Sequence, residues 1–221
     1  MLPAIEHCTQ PNPHTSIIWL HGLGADGSDF APIAEQLSLP FPVRFVFPHA
    51  PRMAVTANGG YVMPAWYDIY ATDITAKQDE EGIRKSQHMI DELIDREITR
   101  GVPASRVVVA GFSQGGVIAL QTGLRFRQRL GGIVALSSYL ALYQNLETEC
   151  PPSNSMLPIF MAHGTEDSVI PIEVGRISVD CLKSGNYCVT WKEYPMPHTV
   201  CDEEISDIRS FLMRVLQEHP V

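Results

Sequence analysis

One serine in this sequence has the neighbours expected of a nucleophile. Ser113 lies in a Gly-x-Ser-x-Gly pattern, between a strand predicted over 106–112 and a helix predicted over 114–127. A sharp strand-to-helix turn of this kind exposes the hydroxyl and strains the serine backbone. The N–H of Gln114, at the start of the helix, can stabilise negative charge on a reacting carbonyl oxygen. This stretch therefore predicts nucleophilic attack on an acyl group.

A serine nucleophile needs a base, and three histidines follow it in the chain. His219 lies in the C-terminal tail, where we expect it to be solvated. His163 ends a predicted strand, where a packed, hydrogen-bonded structural role is expected. His198 falls in a loop between the last strand and the last helix, and such a loop can carry an imidazole over the sheet. We therefore predict that His198 accepts the Ser113 proton.

The carboxylate that orients this imidazole should follow the strand predicted over 157–162, because the expected chain order is Ser, Asp or Glu, His. Glu166 and Asp167 both stand there. Asp167 precedes a segment that leads into a predicted helix, so a turn or capping role is the alternative for it. We favour Asp167 over Glu166 as the acid.

A second donor to the oxyanion is expected in the loop after the first core strand, 17–20. That loop, HGLG at 21–24, has glycines that permit close backbone approach, and we assign the donor to the Leu23 amide. A phosphate-binding interpretation of 22–27 is weaker. The segment lacks both the Lys-Ser/Thr of a nucleotide-binding loop and the glycine spacing of a dinucleotide site.

Taken together, these segments resemble the phospholipase/carboxylesterase family of the α/β-hydrolases, which includes acyl-protein thioesterases. The matching stretches cover nearly the whole chain: LHGLGADGSDF (20–30), PHAP (48–51), PAWYDI (64–69), GFSQGG (111–116), LSSYL (136–140), HGTEDSVIP (163–171) and MPHT (196–199). The resemblance implies a compact α/β-hydrolase fold without a large cap domain. It also implies hydrolysis of esters and thioesters by Ser113, Asp167 and His198, with oxyanion donors at Leu23 and Gln114.

An acyl chain needs an apolar groove that ends at the nucleophile. Six side chains near predicted strand ends are candidates for its lining, with Trp66 and Leu23 preferred: Leu23, Met63, Trp66, Tyr139, Leu140 and Val169. The segment 53–74 is apolar and rich in proline and glycine. It is a candidate flap that closes over the acyl chain.

The scaffold is predicted from hydrophobic patterning. Strands are expected over 17–20, 43–47, 106–112, 133–137, 157–162 and 188–194, and helices over 29–37 (capped by Ser28), 79–99, 114–127, 171–184 and 202–217. Residues 48–77 are expected to form a loop. This alternation predicts a single α/β domain over 1–221, with a mostly parallel sheet covered by helices on both faces.

Composition narrows the choice of partners. The net charge of −9, without clustered Lys or Arg, argues against nucleic acid and allows at most transient contact with a membrane. Five cysteines without a Cys-x-x-Cys pair, and an N-terminus without a signal pattern, predict a reduced cytoplasmic protein. We expect a small ester, an acylated protein or a lysophospholipid as substrate, and an exposed apolar rim would suit a homodimer.

No cofactor or metal ion is expected. A metal-dependent hydrolase using His21, His163, His198 or Asp202 is an alternative, but no His-x-x-x-His or Cys-x-x-Cys pair supports it. A catalytically silent acyl-binding protein on the same scaffold is the alternative from another functional class.

Overall fold

A central β-sheet dominates the computed structural model, which describes residues 2–70 and 78–216. The strands are β1 (Ala4–Cys8), β2 (Ser16–Leu20), β3 (Arg44–Pro48), β4 (Arg52–Val55), β5 (Tyr61–Pro64), β6 (Val107–Phe112), β7 (Gly132–Leu136), β8 (Pro158–Gly164) and β9 (Cys188–Tyr194). The α-helices are α1 (Ile33–Leu37), α2 (Glu80–Thr99), α3 (Gln114–Arg125), α4 (Leu146–Glu149), α5 (Ile172–Ser184) and α6 (Asp202–Leu216).

The sheet order explains where a site can form. Seven strands pair in the order β1-β3-β2-β6-β7-β8-β9, and every neighbouring pair is parallel except β1 with β3. The chain builds one side of the sheet from β2 to β3 and the other from β6 to β9. The direction of winding therefore reverses between β2 and β6, and ligands bind at the carboxyl ends of strands at such a reversal.

Helices cover both faces of the sheet, and alternate residues of each strand point to opposite faces. Each strand therefore contributes side chains to two cores. Ile18 and Val109 belong to the core under α2, α3 and α5, whereas Ile17 and Val108 belong to the core under α1 and α6. The central strands therefore need apolar residues at every position. This is why β2, β6 and β7 are nearly continuous apolar runs in the sequence.

Helix α2 shows how sequence pattern and packing agree. Ile83, Ile90 and Ile94 recur on one side and are fully buried against the sheet and α3. Asp79 caps the helix, since its carboxylate accepts a hydrogen bond from the Gly82 N–H at 3.1 Å.

The predicted strands and the mostly parallel sheet are confirmed, with small differences in bounds. The helix predicted over 29–37 is wrong at its start, because α1 begins at Ile33 after a series of tight turns. Ser28 does not cap that helix. Its N–H and hydroxyl instead donate to the Asp26 carboxylate at 2.8 and 2.6 Å.

Two strand regions were missed by the sequence prediction. Strand β1 pairs only at the edge of the sheet and is half-buried to exposed, so it lacks the apolar signal of a core strand. Inside the predicted loop 48–77, β4 and β5 form an antiparallel hairpin. Residues 71–77 of that predicted loop, and residue 217 of the last predicted helix, lie outside the described residues.

Within the described ranges, no helix is long and apolar enough to cross a membrane.

A carboxyl group buried near the start of α6 makes the stability pH-dependent. Both oxygens of Glu204 are buried, and burial raises the pKa of this carboxyl to about 8, an effect partly offset by a backbone hydrogen bond from Cys201. In the folded state Glu204 keeps its proton where the unfolded chain has lost it. Its contribution to stability is therefore full below pH 4.5 and falls as pH rises towards 8.

We predict that Glu204→Gln raises the melting temperature, and that the gain is larger at pH 8 than at pH 5, because glutamine has no proton to lose. Thermal unfolding at the two pH values measures this difference. Glu203→Gln, at the exposed neighbouring position, is the matched control and should show no such pH-dependent gain. Equal shifts for Glu204→Gln at both pH values would contradict a buried, protonated carboxyl.

Candidate active site

Ser113 lies at a strained turn between β6 and α3. Its backbone has φ 55° and ψ −123°, a region that residues other than glycine rarely adopt. Backbone hydrogen bonds hold this conformation: the Ser113 N–H donates to the Leu136 carbonyl at 2.8 Å, and the Ser113 carbonyl accepts from the Gly116 N–H at 2.9 Å. The turn predicted from the sequence is therefore present.

Glycines around Ser113 are required by close backbone contacts. A Cβ atom at Gly111 would lie 2.3 Å from the Gly115 carbonyl carbon and oxygen. A Cβ atom at Gly115 would lie 2.4 Å from the Leu20 carbonyl oxygen and 2.5 Å from that of His21. Neither contact is with a side chain that can move aside, so the start of α3 must pack directly on the ends of β2 and β6.

Ser113, His198 and Asp167 form one hydrogen-bonded chain. His198 Nε2 lies 2.9 Å from Ser113 Oγ, and His198 Nδ1 lies 2.6 Å from Asp167 Oδ2. A carboxylate oxygen only accepts, so Nδ1 carries the proton and Nε2 is free to accept from the serine hydroxyl. Phe112 packs beside the imidazole, with the ring centroids 4.7 Å apart. Nothing in the residue pattern singled out this phenylalanine.

Backbone amides fix the Asp167 carboxylate. Its Oδ1 accepts from the Val169 N–H at 2.9 Å and from the Ile170 N–H at 2.8 Å, and its side chain is fully buried. Glu166, the alternative acid, is exposed. The turn role that the sequence allowed for Asp167 is thus combined with its contact to His198.

The loop after β2 runs past Ser113. A Cβ atom at Gly22 would lie 3.5 Å from Ser113 Cβ, so the Leu23 amide is in the immediate neighbourhood of Ser113. The Gly22 carbonyl and the Leu23 N–H belong to one planar peptide and point in opposite directions. His21 Nδ1 donates to that carbonyl at 2.7 Å, which fixes the peptide plane and turns the Leu23 N–H the other way.

The His21 ring is itself held by the neighbouring backbone. Its Nε2 accepts a hydrogen bond from the Ala50 N–H at 3.1 Å, so the proton is on Nδ1. Burial lowers the pKa of His21, which keeps the ring neutral and its tautomer fixed.

Trp66 does not line an open groove, contrary to its preferred assignment. Its side chain is 2% exposed, and its Nε1 donates to the His21 carbonyl at 2.9 Å. Its backbone N–H donates to Gln114 Oε1 at 2.7 Å. Trp66 therefore ties the loop after β2 to α3, because burying its indole N–H without a partner would cost free energy.

The side chain of Gln114 has a role that the sequence did not indicate. Besides accepting from Trp66, it donates through Nε2 to the Tyr67 carbonyl at 2.7 Å. The amide that begins α3 and the buried side chain of the same residue thus serve different purposes. In the sequence, the one signal for this contact is an amide side chain directly after the serine.

The other predicted lining residues divide into two groups. Tyr139 and Leu140 are buried in the core, where the Tyr139 hydroxyl pairs with that of Tyr67 at 3.0 Å. Their assignment to a groove is therefore not supported. Leu23 and Met63 are half-buried, and Val169 is 61% exposed, so these three are accessible to a substrate.

The proposed flap is also partly anchored. Within the segment 53–74, Trp66 and Tyr67 are buried and hydrogen-bonded, and the Ala65 N–H donates to the Pro51 carbonyl at 2.9 Å. Residues 71–74 lie outside the described residues. Among the described residues of this segment, the β4–β5 hairpin remains the candidate for a flap.

Of the histidines weighed as metal ligands, His21 and His198 use both ring nitrogens in hydrogen bonds, and His163 uses Nε2. In the described part of the chain, no group of three or more His, Cys, Asp or Glu residues could hold an ion. His219 is outside that part.

A strained serine at a strand-to-helix turn of a mostly parallel sheet, joined to a histidine and an aspartate, defines a serine hydrolase of the α/β-hydrolase fold. The sequence pattern of the phospholipase/carboxylesterase family matches residues 2–216, and the chain belongs to this family.

Similar proteins agree with this membership. The chain is 41% identical to acyl-protein thioesterase 1 of Neurospora crassa, over 96% of this chain and 89% of that protein. It is 38% identical to the Yarrowia lipolytica protein of the same name, over 98% of each chain.

Solved structures show the same fold. Arabidopsis thaliana SOBER1 superposes with a TM-score of 0.87 at 31% identity, covering 92% of this chain and 99% of that one. Acyl-protein thioesterase 2 of Zea mays superposes with a TM-score of 0.85 at 28% identity, covering 97% and 100%.

We predict that Gly115→Ala lowers kcat/KM by about 100-fold, because the new methyl group must push α3 away from the loop after β2. Steady-state hydrolysis of a short ester measures the loss. Gly123→Ala in the same helix is the matched control. Its Cβ would meet Cδ1 and Cγ1 of Ile133 at 2.5 Å, which are side-chain rather than backbone atoms and lie away from Ser113, so activity should stay within about threefold. Equal losses in the two variants would contradict this account.

Proposed function

We propose that the protein hydrolyses carboxylic esters and acyl thioesters through an acyl-enzyme on Ser113. The observation that carries this proposal is the hydrogen-bonded chain from Ser113 Oγ through His198 to the buried Asp167 carboxylate, at 2.9 and 2.6 Å. Each hydrogen bond in this series has a defined donor and a defined acceptor. Family membership and the esterase and thioesterase names of its relatives support the same reaction.

In the first half of the reaction, Ser113 Oγ attacks the acyl carbon while its proton passes to His198 Nε2. The carbonyl oxygen becomes an oxyanion, which the N–H groups of Leu23 and Gln114 stabilise. Asp167 holds the imidazole tautomer and stabilises the imidazolium. Collapse of the tetrahedral intermediate breaks the bond to the alcohol or thiol, which receives the proton from His198.

The second half repeats this chemistry with water. His198 takes a proton from the water molecule, which attacks the acyl-enzyme, and the second tetrahedral intermediate releases the carboxylic acid and restores Ser113. A thiol is a better leaving group than an alcohol because it is more acidic. The same site therefore suits thioesters as well as esters.

The acyl chain is proposed to lie along the half-exposed side chains of Leu23 and Met63. These two residues are neighbours in space, since the Gly24 N–H donates to the Pro64 carbonyl at 2.9 Å and joins the loop after β2 to strand β5. An apolar surface beside the oxyanion donors would hold the chain with its carbonyl carbon at Ser113. An acylated protein is the substrate class that the names of the relatives favour.

We predict that Ser113→Ala loses several orders of magnitude in kcat, leaving ~10³ over the uncatalysed rate from the oxyanion donors. A fluorophosphonate probe should label the unaltered protein once per chain and the variant not at all. Ser138→Ala is the control, because Ser138 is also buried near the start of α3, and it should keep activity and labelling. Near-normal turnover by Ser113→Ala would overturn the proposed function, and an unlabelled, inactive parent protein would favour a silent acyl-binding protein.

We predict that kcat/KM rises with acyl chain length across p-nitrophenyl esters, and that an acyl-thioester peptide is cleaved faster than a lysophospholipid. The reverse ranking would identify a lysophospholipase.

Met63→Gln should raise KM for long-chain esters and leave acetate hydrolysis unchanged. Val62→Gln alters the exposed neighbour on the same hairpin and should change neither. An equal KM for long and short esters in Met63→Gln would place the acyl chain elsewhere.

A further inference from the structure

His163 is a buried imidazole that takes no part in the proposed reaction. It lies in β8, is fully buried, and its Nε2 is 2.8 Å from the Ile170 carbonyl oxygen. A carbonyl only accepts, so Nε2 carries the proton and Nδ1 is the unprotonated nitrogen. Among the described residues, Nδ1 has no hydrogen-bond partner.

The same Nε2 atom faces the carboxylate of Asp167. It lies 3.3 Å from Oδ2, the oxygen that also accepts from His198 Nδ1 at 2.6 Å. The Ile170 backbone makes two hydrogen bonds. Its carbonyl accepts from His163, and its N–H donates to Asp167 Oδ1 at 2.8 Å. These contacts therefore form a closed set, which joins the His163 ring, the backbone of Ile170 and the Asp167 carboxylate.

The packing behind the ring keeps it in this orientation. A Cβ atom at Gly175 in α5 would lie 2.7 Å from His163 Nδ1, so α5 packs directly on the ring and leaves no room for a side chain at this position. The Trp191 ring lies against the imidazole, with centroids 6.2 Å apart. A second proton, on Nδ1, would have no acceptor in the part of the chain that the structure describes, and burial lowers the pKa of His163.

We propose that His163 is a positioning residue for Asp167: its Nε2–H holds the turn 165–170 and directs carboxylate oxygen Oδ2 at His198. The catalytic consequence rests on the proposed function. The geometric claim does not, because it concerns only how one buried imidazole holds a carboxylate in place. A carboxylate that has lost this support can turn away from His198, and the imidazole then loses its fixed tautomer.

Two substitutions separate this role from simple core packing. His163→Leu keeps most of the ring volume and removes the donor. His163→Gln replaces the ring but places an amide N–H near the position of Nε2. Phe160→Leu is the control for weakened packing, because it alters the same strand on its other face, away from Asp167.

The first readout is the far-downfield proton NMR resonance expected of a short hydrogen bond such as His198 Nδ1–H to Asp167. We expect His163→Leu to lose this resonance, and His163→Gln and Phe160→Leu to keep it. The second readout is kinetic. His163→Leu should lower kcat by about 100-fold with KM nearly unchanged, and His163→Gln should recover most of the loss.

The proposal is overturned if His163→Leu keeps both the resonance and kcat, or if His163→Gln is no better than His163→Leu. It is also overturned if Phe160→Leu, at an equal drop in melting temperature, loses as much kcat. Should His163→Leu not fold, Gly175→Ala disturbs the ring from behind and must weaken the same resonance. An inactive parent protein would end the proposed function, yet the NMR comparison would still decide the role of His163.

Discussion

The close approach of α3 to the ends of β2 and β6 is the constraint on which the site depends. The contact leaves no room for a side chain at Gly111 or Gly115, and it leaves Ser113 with a positive φ. Strain of this kind costs about 1–3 kcal/mol and persists only where the surroundings impose it. This packing contact therefore fixes the relative positions of Ser113, the first amide of α3 and the loop after β2.

Buried polar contacts then support this arrangement from behind. The Trp66 indole donates to the His21 carbonyl, and the Gln114 side chain holds the backbone of Trp66 and Tyr67. Each of these groups is buried, so losing one partner leaves the other unsatisfied at a cost of about 1–3 kcal/mol. The loop that carries Leu23 is therefore fixed by residues on the side away from Ser113.

Three imidazoles show how surroundings decide the role of a histidine. His21 donates through Nδ1 to a carbonyl and His163 donates through Nε2 to another, and burial lowers the pKa of both. His198 donates to a carboxylate and accepts from a hydroxyl, and its side chain is 16% exposed. Only His198 therefore joins a proton donor to a charged acceptor at a surface that a substrate can reach.

Local features of the molecule could be predicted from the amino-acid sequence. The elbow around Ser113, the helix start at Gln114 and the apolar runs of the core strands follow from the types of neighbouring residues, because backbone geometry and strand burial act over a few positions. The expected order of serine, acid and base along the chain also pointed to His198 and to the pair Glu166 and Asp167, of which Asp167 was favoured. Edge strand β1 and the β4–β5 hairpin carry no such local signal, and both were missed.

Contacts between residues that are distant in the chain could not be predicted in this way, because they depend on the packed fold. Ser113 and His198 are 85 residues apart, and Asp167 and His198 are 31 apart, so their distances depend on strand order and loop shape. The same is true of Trp66, whose apolar surface suggested a groove but whose indole N–H is buried on the His21 carbonyl. Burial and hydrogen bonding of a side chain are properties of the packed molecule, because its partners come from other elements.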